Sequence, residues 1–359
     1  MTHLWIDQPD ALRSHLVDLP ERVGLDTEFV RERTWWPVLA LVQVAINDKV
    51  LLVDPTVAGM PEVIAELLRD SSVLKIMHSP SEDLVAFGHT CNALPAPLFD
   101  TQAAAALAGL GAGLGYQKLV QAALGVALEK GETRSDWLRR PLSPSQCEYA
   151  ADDVNHLAAL HDLLRDKLHE LKRSAWLEED AERTLRNAGD DSLDPWPHLG
   201  VRPAQDFDAE AQIRLLRLMR WREVFARERD LPKNWVIDQP LALQLSHRPP
   251  EDFTALQKLL DTTPKSPRKL AKELWAALTT ALEDEASMPP VRRDGDIDKK
   301  KLKSLQQAVA DVAKELDLPE GLIASRRWLE ALLENGEWPD ALKGWRQTLL
   351  APRFAPILG

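Results

Sequence analysis

VGLDTEFVRER, residues 23–33, places two carboxylates on one face of a predicted β-strand. An apolar lead-in ends at Leu25, and Asp26 and Glu28 follow it two residues apart. Side chains alternate along a strand, so both carboxylates point to the same side of the sheet. Like charges this close repel unless a cation lies between them. The stretch is therefore either an edge strand with two solvated acids or one half of a cation site.

The composition is that of a globular protein with more than one domain. The chain has 359 residues, of which 45% are hydrophobic and 28% charged, and a single core rarely serves more than about 250–300 residues. The net charge of −12 argues against a uniformly basic surface for nonspecific nucleic-acid binding. It leaves open an enzyme whose positive charge is local or supplied by metal ions.

Cysteine usage and hydropathy predict a cytoplasmic location. Cys91 and Cys147 are the two cysteines, too few for a disulfide framework or a four-thiolate zinc site. Residues 1–10, MTHLWIDQPD, lack the basic and apolar regions of a signal peptide. Apolar runs stay well short of the roughly 18 residues of a membrane span, and long heptads are absent from the sequence. We expect a monomer without a membrane partner.

The first half of the chain alternates predicted strands and helices. Residues 1–20 are expected to form a short helix. Strands are predicted at residues 23–30, 38–46, 50–53, 73–78 and 98–100. The first three follow one another as a meander, and helical periodicity separates and follows the others. This pattern predicts an α/β domain with a mixed sheet flanked by helices.

Two predicted helices begin with capping boxes. Ser79–Glu82 and Ser143–Gln146 both place serine at the N-cap, proline at the first helical position and an acid or amide at the third. Asp83 then lies in the first turn of a helix that follows a strand, at the edge where α/β folds build sites. Tyr149 and Asp153 lie on the second helix, four residues apart and so on one face.

Asp26, Glu28, Asp83 and Asp153 thus lie where the sheet would bring them together. Oxygen ligands without a histidine or cysteine cluster favour Mg²⁺ or Mn²⁺. Two such ions about 4 Å apart would stabilise the acids and clamp an in-line phosphoryl displacement. Tyr149 would orient the attacking water, because a phenol is a poor base at neutral pH.

Each of these residues also has an ordinary structural interpretation. Asp83 and Asp153 could stabilise helix dipoles or be solvated, and Tyr149 could be a half-buried core residue. Asp152 rivals Asp153, because the third position after Tyr149 nearly shares its face. Spacing alone does not choose between the two acids.

Strand signals disappear in the second half. Residues 190–205, DDSLDPWPHLGVRPAQ, contain three prolines and predict a linker. A long amphipathic helix over residues 208–230 and shorter helices follow it. A second break, MPPVRRDG at residues 288–295, divides this half into two similar-sized bundles. In both bundles a long charged helix precedes a Leu-Pro segment and shorter helices, so we predict two all-α domains.

The acidic motifs resemble the three exonuclease motifs of the DEDD superfamily, Tyr subclass. GLDTEFVRERTWWPVLALVQVA, HSPSEDLVAF and TRSDWLRRPLSPSQCEYAADDV carry the resemblance, which covers about residues 1–190. It implies a ribonuclease H-like exonuclease fold and assigns the last acid to Asp153. A His-subclass enzyme would carry histidine in that motif, and His156 lies after Asp153 instead.

The second half resembles HRDC domains, which accompany some exonucleases of this subclass. Trp221–Ser246 is similar to one HRDC domain, and Leu318–Leu333 is similar to a more diverged copy. The resemblance implies an exonuclease domain at residues 1–190, a linker at 191–205, an HRDC domain at 206–288 and an HRDC-like domain at 289–359.

The family implies hydrolytic 3′→5′ removal of nucleotides from RNA as nucleoside 5′-monophosphates. Its expected substrates are 3′ ends of tRNA precursors and other small structured RNAs. Two ions, Mg²⁺ or Mn²⁺, would be held by Asp26, Glu28, Asp83 and Asp153, with Tyr149 completing the catalytic set. A DNA exonuclease is the first alternative, because the sequence shows no clear reader of the 2′-hydroxyl. The second is a non-catalytic RNA-binding protein, although uncompensated acids would then only cost stability.

Two loops beside the motifs are predicted to hold the RNA tail. Both mix arginine with tryptophan, which suits phosphate contacts and base stacking. The predicted contact residues are Arg31, Arg33, Trp35, Trp36, Arg134, Trp137, Arg139 and Arg140. Alternatively, the tryptophans of the first loop cover the core. Arg227, Arg229 and Lys233 could guide the RNA body, but acids interspersed among the basic residues argue against strong RNA binding by the bundles alone.

Overall fold

The computed structural model describes residues 2–128, 131–132, 135–291 and 298–359. The chain forms two compact units. The sheet unit comprises Met1–Val30, Pro37–Asp190 and Ile297–Gly359, and the helical unit comprises Arg31–Trp36 and Asp191–Asp296. None of the described helices is long and apolar enough to cross a membrane.

Within the described residues of the sheet unit, six strands form one mixed sheet. They are β1 Thr2–Ile6, β2 Arg22–Val30, β3 Val38–Ile46, β4 Lys49–Val53, β5 Leu74–Met77 and β6 Leu98–Asp100, in the order β1-β4-β3-β2-β5-β6. β2, β3 and β4 form the predicted antiparallel meander, while β5 runs parallel to β2 and to β6. β2 therefore lies inside the sheet with a partner on each side.

β1 corrects the expectation of a helix over residues 1–20. Residues 2–6 pair in parallel with β4, and the first helix begins only at Pro9. β1 is an edge strand exposed along most of its length, so it lacks the apolar alternation that identifies a half-buried strand. Its conformation comes from hydrogen bonds to β4, a partner more than 40 residues away.

Helices cover the sheet and continue in the C-terminal part of the sheet unit. Before the helical unit they are α1 Pro9–His15, α2 Met60–Arg69, α3 Ser81–Cys91, α4 Thr101–Leu107, α5 Tyr116–Leu124, α6 Pro144–Asn155, α7 Leu157–Glu170 and α8 Ser174–Gly189. The helical unit contains α9 Ala209–Glu228, α10 Lys233–Val236, α11 Gln239–His247, α12 Phe253–Thr262 and α13 Ala271–Thr279. The C-terminal helices are α14 Lys299–Leu316, α15 Glu320–Ile323, α16 Arg326–Asn335 and α17 Trp345–Leu358.

The two predicted capping boxes have different outcomes. The box at α6 is confirmed: Ser143 Oγ accepts from the Gln146 backbone N–H, and the Gln146 side chain accepts from that of Ser143. The box before α3 is wrong. Ser79 has a left-handed φ of 55°, and its backbone N–H donates to Asp100 Oδ1 at 2.9 Å. In a capping box the Ser79 backbone N–H would donate to the Glu82 side chain, but here it donates to Asp100 instead. Helix α3 therefore begins two residues later, at Ser81.

The predicted linker is an ordered part of the helical unit. It contains 3₁₀ helices at Pro197–Gly200 and Arg202–Asp206. Val201 and Ala204 are buried with residues of α9, α11, α12 and α13 in one hydrophobic core. The prolines therefore interrupt helical periodicity without preventing burial.

Residues 298–359 share a core with the sheet, whereas the sequence predicted a separate domain over residues 289–359. Leu305 and Val309 of α14 belong to the same buried cluster as Leu41 of β3. Arg173 donates to the carbonyl oxygens of Leu107 and Leu316, both at 2.6 Å. These long-range contacts join the C-terminal helices to α4 and α8, and apolar periodicity does not reveal them.

A buried ion pair reinforces this junction. Arg346 of α17 donates to both carboxylate oxygens of Asp180 on α8, at 2.6 and 3.0 Å. Arg346 is 4% exposed and Asp180 9%. Trp345 Nε1 and Arg183 also donate to this carboxylate. The pair is therefore one member of a buried network between the two helices.

Replacing Arg346 with methionine should lower the free energy of unfolding by about 3 kcal/mol, because loss of one partner leaves a buried charge undercompensated. Urea unfolding followed by tryptophan fluorescence measures the change. Arg353→Met is the matched control: Arg353 pairs with Glu315 at the surface, where solvent screens the ion pair and its loss should change stability far less. Equal effects of the two substitutions would contradict a structural role for the buried pair.

Candidate active site

The carboxyl-terminal half of β2 carries two acids on one side of the sheet. Asp26 lies opposite Gln43 and Glu28 opposite Leu41 of β3. The pairing register shifts between Glu28 and Phe29, an irregularity that re-aims side chains and is common beside active sites. The predicted orientation of the two acids is thus present at the point where the ladder loses its regularity.

Asp153 of α6 joins this pair. Asp26, Glu28 and Asp153 each bring one carboxylate oxygen to within 4.8 Å of the others. Asp152 is exposed and instead accepts a hydrogen bond from Asn155 at 3.0 Å. The geometry therefore separates the two candidate acids of α6, and Asp153 belongs to the cluster.

Asp83 lies beside the cluster but is directed at a different partner. Its carboxylate accepts a hydrogen bond from the Thr27 hydroxyl, and the residue is 8% exposed. The Asp83 charge still contributes to raising the pKa values of Asp26 and Glu28. The described structure thus groups three of the four predicted ligands and holds the fourth next to them through Thr27.

Burial and mutual repulsion raise the pKa values of these acids. The pKa of Glu28 rises to about 8, first because of burial and then because of the charges of Asp153 and Asp83. Burial, followed by the charges of Asp83, Asp153 and Glu28, raises the pKa of Asp26 well above its usual range. Burial and the nearness of the acids therefore both disfavour ionisation of these carboxyl groups. A bound divalent cation would stabilise the ionised forms and so offset both effects.

A buried amide next to the cluster gives a further reason to expect a polar ligand. Gln43 is fully buried, and its Nε2 and Oε1 atoms lack hydrogen-bond partners among the described residues. Its side chain is on the same face as its cross-strand neighbour Asp26. Leaving such a group unpaired costs about 1–3 kcal/mol. The three carboxylates and the amide oxygen of Gln43 offer the oxygen ligands that a hydrated Mg²⁺ or Mn²⁺ ion prefers.

Tyr149 contacts the cluster through its hydroxyl group. It forms a hydrogen bond with Asp153, and burial and then the charge of Asp153 raise its pKa. The phenol is consequently protonated at neutral pH and acts as a donor. A cavity of about 260 Å³ beside it is lined by Tyr149, Asp153, Gly131 and Glu132, among others. A side chain at Gly131 would overlap the Tyr149 ring, so this approach requires glycine.

Tyr116 lies beside the site and is a residue that the sequence analysis missed. Its hydroxyl donates to the Asp152 carbonyl oxygen and accepts from the His156 backbone N–H, both at 3.1 Å. These two groups flank Asp153 at the junction of α6 and α7. The hydroxyl thereby holds the end of the helix that carries Asp153. The sequence has two tyrosines, Tyr116 and Tyr149, and this rarity is the one sequence signal that could have drawn attention to Tyr116.

The structure corrects two predicted RNA contacts in the loop before α6. Trp137 is 4% exposed and belongs to the hydrophobic core. Arg140 donates to the Asp54 carboxylate at 2.6 and 2.8 Å and to the Ala40 carbonyl oxygen at 2.6 Å. Trp137 therefore has no exposed ring face for a base, and the guanidinium of Arg140 is already paired within the fold. Arg139 is exposed, and Arg134 lies outside the described residues.

The loop after β2 belongs to the helical unit. Asp230 Oδ1 accepts from the backbone N–H groups of Trp35 and Trp36, both at 3.0 Å. Lys233 lies 4.7 Å from the Trp35 ring centroid and Arg227 lies 5.2 Å from that of Trp36. Cations thus cover both half-buried rings. Of the predicted contacts in this loop, Arg31 and Arg33 are the exposed side chains.

Comparison with known proteins identifies the relatives of this chain. Residues 4–169 match a 3′-5′ exonuclease family, and residues 298–354 match the C-terminal HRDC domain of ribonuclease D. The chain is 53% identical to ribonuclease D of Xanthomonas oryzae pv. oryzae, over 99% of this chain and 98% of the relative. It is 32% identical to ribonuclease D of Escherichia coli, over 100% and 99%.

A solved structure agrees with these matches. The crystal structure of Escherichia coli RNase D, an exoribonuclease involved in structured RNA processing, has a TM-score of 0.88 and 30% identity to this chain. The superposition covers 100% of this chain and 99% of the other. The predicted exonuclease class and the fold of a mixed sheet with helical HRDC elements are therefore confirmed. The chain belongs to the ribonuclease D family of 3′→5′ exoribonucleases.

Proposed function

We propose that this protein trims the 3′ ends of tRNA precursors and other small structured RNAs and releases nucleoside 5′-monophosphates. The convergence of Asp26, Glu28 and Asp153 within 4.8 Å is the observation that carries the proposal. These carboxylates would supply the ligand set for metal-assisted phosphodiester hydrolysis. The Escherichia coli relative, described as acting in structured RNA processing, supports the substrate class.

Asp26, Glu28 and Asp153 would hold divalent cations, Mg²⁺ or Mn²⁺, and Asp83 would complete the set from its place beside Thr27. When bound, two ions would neutralise charge on the reacting phosphate and assist both the attacking and the leaving oxygen. The chain itself supplies ligands at fixed positions. β2 holds two of them within a sheet, and the capped helix α6 holds the third.

Tyr149 would act as a hydrogen-bond donor that orients the attacking water. Its raised pKa keeps the proton on the phenol, which makes a role as general base unfavourable at neutral pH. Its bond to Asp153 fixes the hydroxyl at the edge of the acidic cluster. Tyr116 would act indirectly by holding the α6–α7 junction next to Asp153.

DNA is the competing substrate because the same hydrolysis applies to either backbone. Matched RNA and DNA oligonucleotides in one assay would distinguish them, and preferential cleavage of DNA would reject the proposed substrate. We further propose a cytoplasmic monomer. The two cysteines are free thiols, as expected in a reducing compartment.

Asp153→Asn should reduce kcat on a 3′-extended tRNA by about 1,000-fold or more, because the site loses a charged ligand of the reacting assembly. Asp152→Asn is the matched control on the same helix, and its activity should stay within about twofold of wild type. Release of labelled nucleotide in Mg²⁺ or Mn²⁺ measures both variants. Equal losses, or full activity of Asp153→Asn, would contradict the assignment.

Metal ions should stabilise the protein more at pH 8 than at pH 5.5. The pKa of Glu28 is raised from 4.5 to about 8 in the folded protein. Its contribution to stability is therefore full below pH 4.5 and is lost as the pH rises through about 8. A bound cation favours the ionised form and recovers this loss. Mg²⁺ should raise Tm by several degrees at pH 8 and by clearly less at pH 5.5.

Differential scanning calorimetry with and without Mg²⁺ at the two pH values tests this dependence. Glu28→Gln provides the control, because it removes one of the raised-pKa acids and should reduce the difference between the two pH values. A Tm shift that is independent of pH in the wild-type protein would contradict metal binding by these raised-pKa acids.

Tyr116→Phe should lower kcat by about tenfold while preserving the fold, because the ring remains and only the bridging hydroxyl is lost. Small displacements of a reacting group reduce rates strongly. The apparent Mg²⁺ affinity should fall as well, since the helix end next to Asp153 is no longer held. Unchanged kcat and Mg²⁺ dependence would show that the bridge has no positioning role.

A further inference from the structure

Gln43 is the one polar residue of the otherwise apolar strand β3, and it is 0% exposed. Glutamine is mostly found at protein surfaces, and buried polar groups are paired in the large majority of cases. Among the described residues, Gln43 is the one buried side chain with two polar atoms, Nε2 and Oε1, that lack hydrogen-bond partners. The contacts of the chain with itself therefore do not account for this amide.

The register of the sheet shows which side chains surround Gln43. It lies opposite Asp26 of β2 on one side and opposite Leu52 of β4 on the other. Along β3, its neighbours on the same face are Leu41 and Ala45, each two residues away. Asp26 is thus the one polar side chain among the four nearest neighbours on this face of the sheet.

Helix α6 covers this face of the sheet. It packs across β2, β3 and β4. Ala150, Ala151 and Val154 of α6 are buried in the same hydrophobic cluster as Leu41 and Leu52. Apolar groups therefore border the amide from the helix as well as from the sheet.

Ionised Asp26 is the partner that fits this amide. A carboxylate accepts hydrogen bonds, and side chains directly opposite each other in an antiparallel ladder have Cβ atoms only about 4.5–5.5 Å apart. A charge-assisted bond from Nε2 would hold the carboxylate in one orientation. Outer-shell partners of this kind orient metal ligands and raise the affinity of a site for its ion.

We propose that Gln43 is a positioning residue of the cation site, whose Nε2 donates to the Asp26 carboxylate and fixes the oxygen that Asp26 presents to a divalent cation. The Oε1 atom then remains for a water molecule of the hydrated ion. This inference rests on the proposed metal ligands. It explains why β3 keeps an amide where an apolar side chain would make the metal-free protein more stable.

Gln43→Met in the full-length protein tests the inference, because methionine keeps the unbranched shape and removes both amide atoms. In EDTA, its Tm should rise by about 2 °C or more, since a buried unpaired polar group is lost. Its Kd for Mn²⁺ should rise by about tenfold or more, since Asp26 loses its hydrogen-bond donor. Differential scanning calorimetry measures Tm, and isothermal titration with Mn²⁺ in the absence of RNA measures Kd.

Gln212→Met is the matched control, because Gln212 is also buried but has partners. It is 5% exposed, its Nε2 donates to the Phe207 carbonyl oxygen at 3.1 Å, and its Oε1 accepts from the Val291 backbone N–H at 2.7 Å. The same substitution should therefore lower Tm in EDTA and leave the Kd for Mn²⁺ unchanged.

Gln43→Glu separates a donor from a direct ligand. Glutamate keeps the shape and offers oxygen atoms, but its carboxylate cannot donate to Asp26. At pH 8 this variant should bind Mn²⁺ more weakly than the wild-type protein. Wild-type or tighter binding would show direct ligation at this position and overturn the donor role.

Opposite Tm changes in the two methionine variants, with weaker Mn²⁺ binding by Gln43→Met alone, support the inference. A lower Tm or a wild-type Kd for Mn²⁺ in Gln43→Met overturns the role of Gln43 and leaves the acidic cluster as the proposed metal site. A wild-type protein that does not bind Mn²⁺ rejects both the metal site and the role of Gln43.

Discussion

Electrostatic repulsion at one end of β2 is the constraint on which the site depends. Asp26, Glu28 and Asp153 hold carboxylate oxygens within 4.8 Å of one another, and burial raises the pKa of Glu28 to about 8. The elements that carry the cluster have stabilising contacts of their own: β2 is paired on both sides, and α6 begins with a complete capping box. A divalent cation that bound here would remove the repulsion among these acids, and that relief would add to the free energy of cation binding.

Local chemistry made much of this arrangement predictable. The alternation around Asp26 and Glu28, the apolar run of β3 and the Ser143 capping box all depend on neighbours within a few residues. Features that depend on distant partners were not predictable. β1 forms by pairing with β4, and Ser79 is diverted by Asp100, 21 residues away. The Tyr116 bridge joins residues 36 and 40 positions apart, beyond the reach of any periodic pattern.

Arginine next to tryptophan proved to be an ambiguous signal, because burial decides its meaning. Trp137 and Arg140 are close in sequence to the last motif, yet one fills the core and the other pairs with Asp54. Trp235 lies within Trp221–Ser246, the stretch that is similar to an HRDC domain, and is 58% exposed. The same residue type thus fills the core in one loop and is exposed in another. Similarly, apolar periodicity predicted the C-terminal helices but did not reveal that they share the core of the sheet unit.

The central claim is that Asp26, Glu28 and Asp153 hold divalent cations. The most direct measurement is a crystal structure of the full chain with Mn²⁺, using anomalous diffraction to locate the ions. The account predicts an anomalous peak with carboxylate oxygens of all three residues in its coordination shell. Saturating Mn²⁺ with no peak at this cluster, or with the only peak held by other residues, would contradict it.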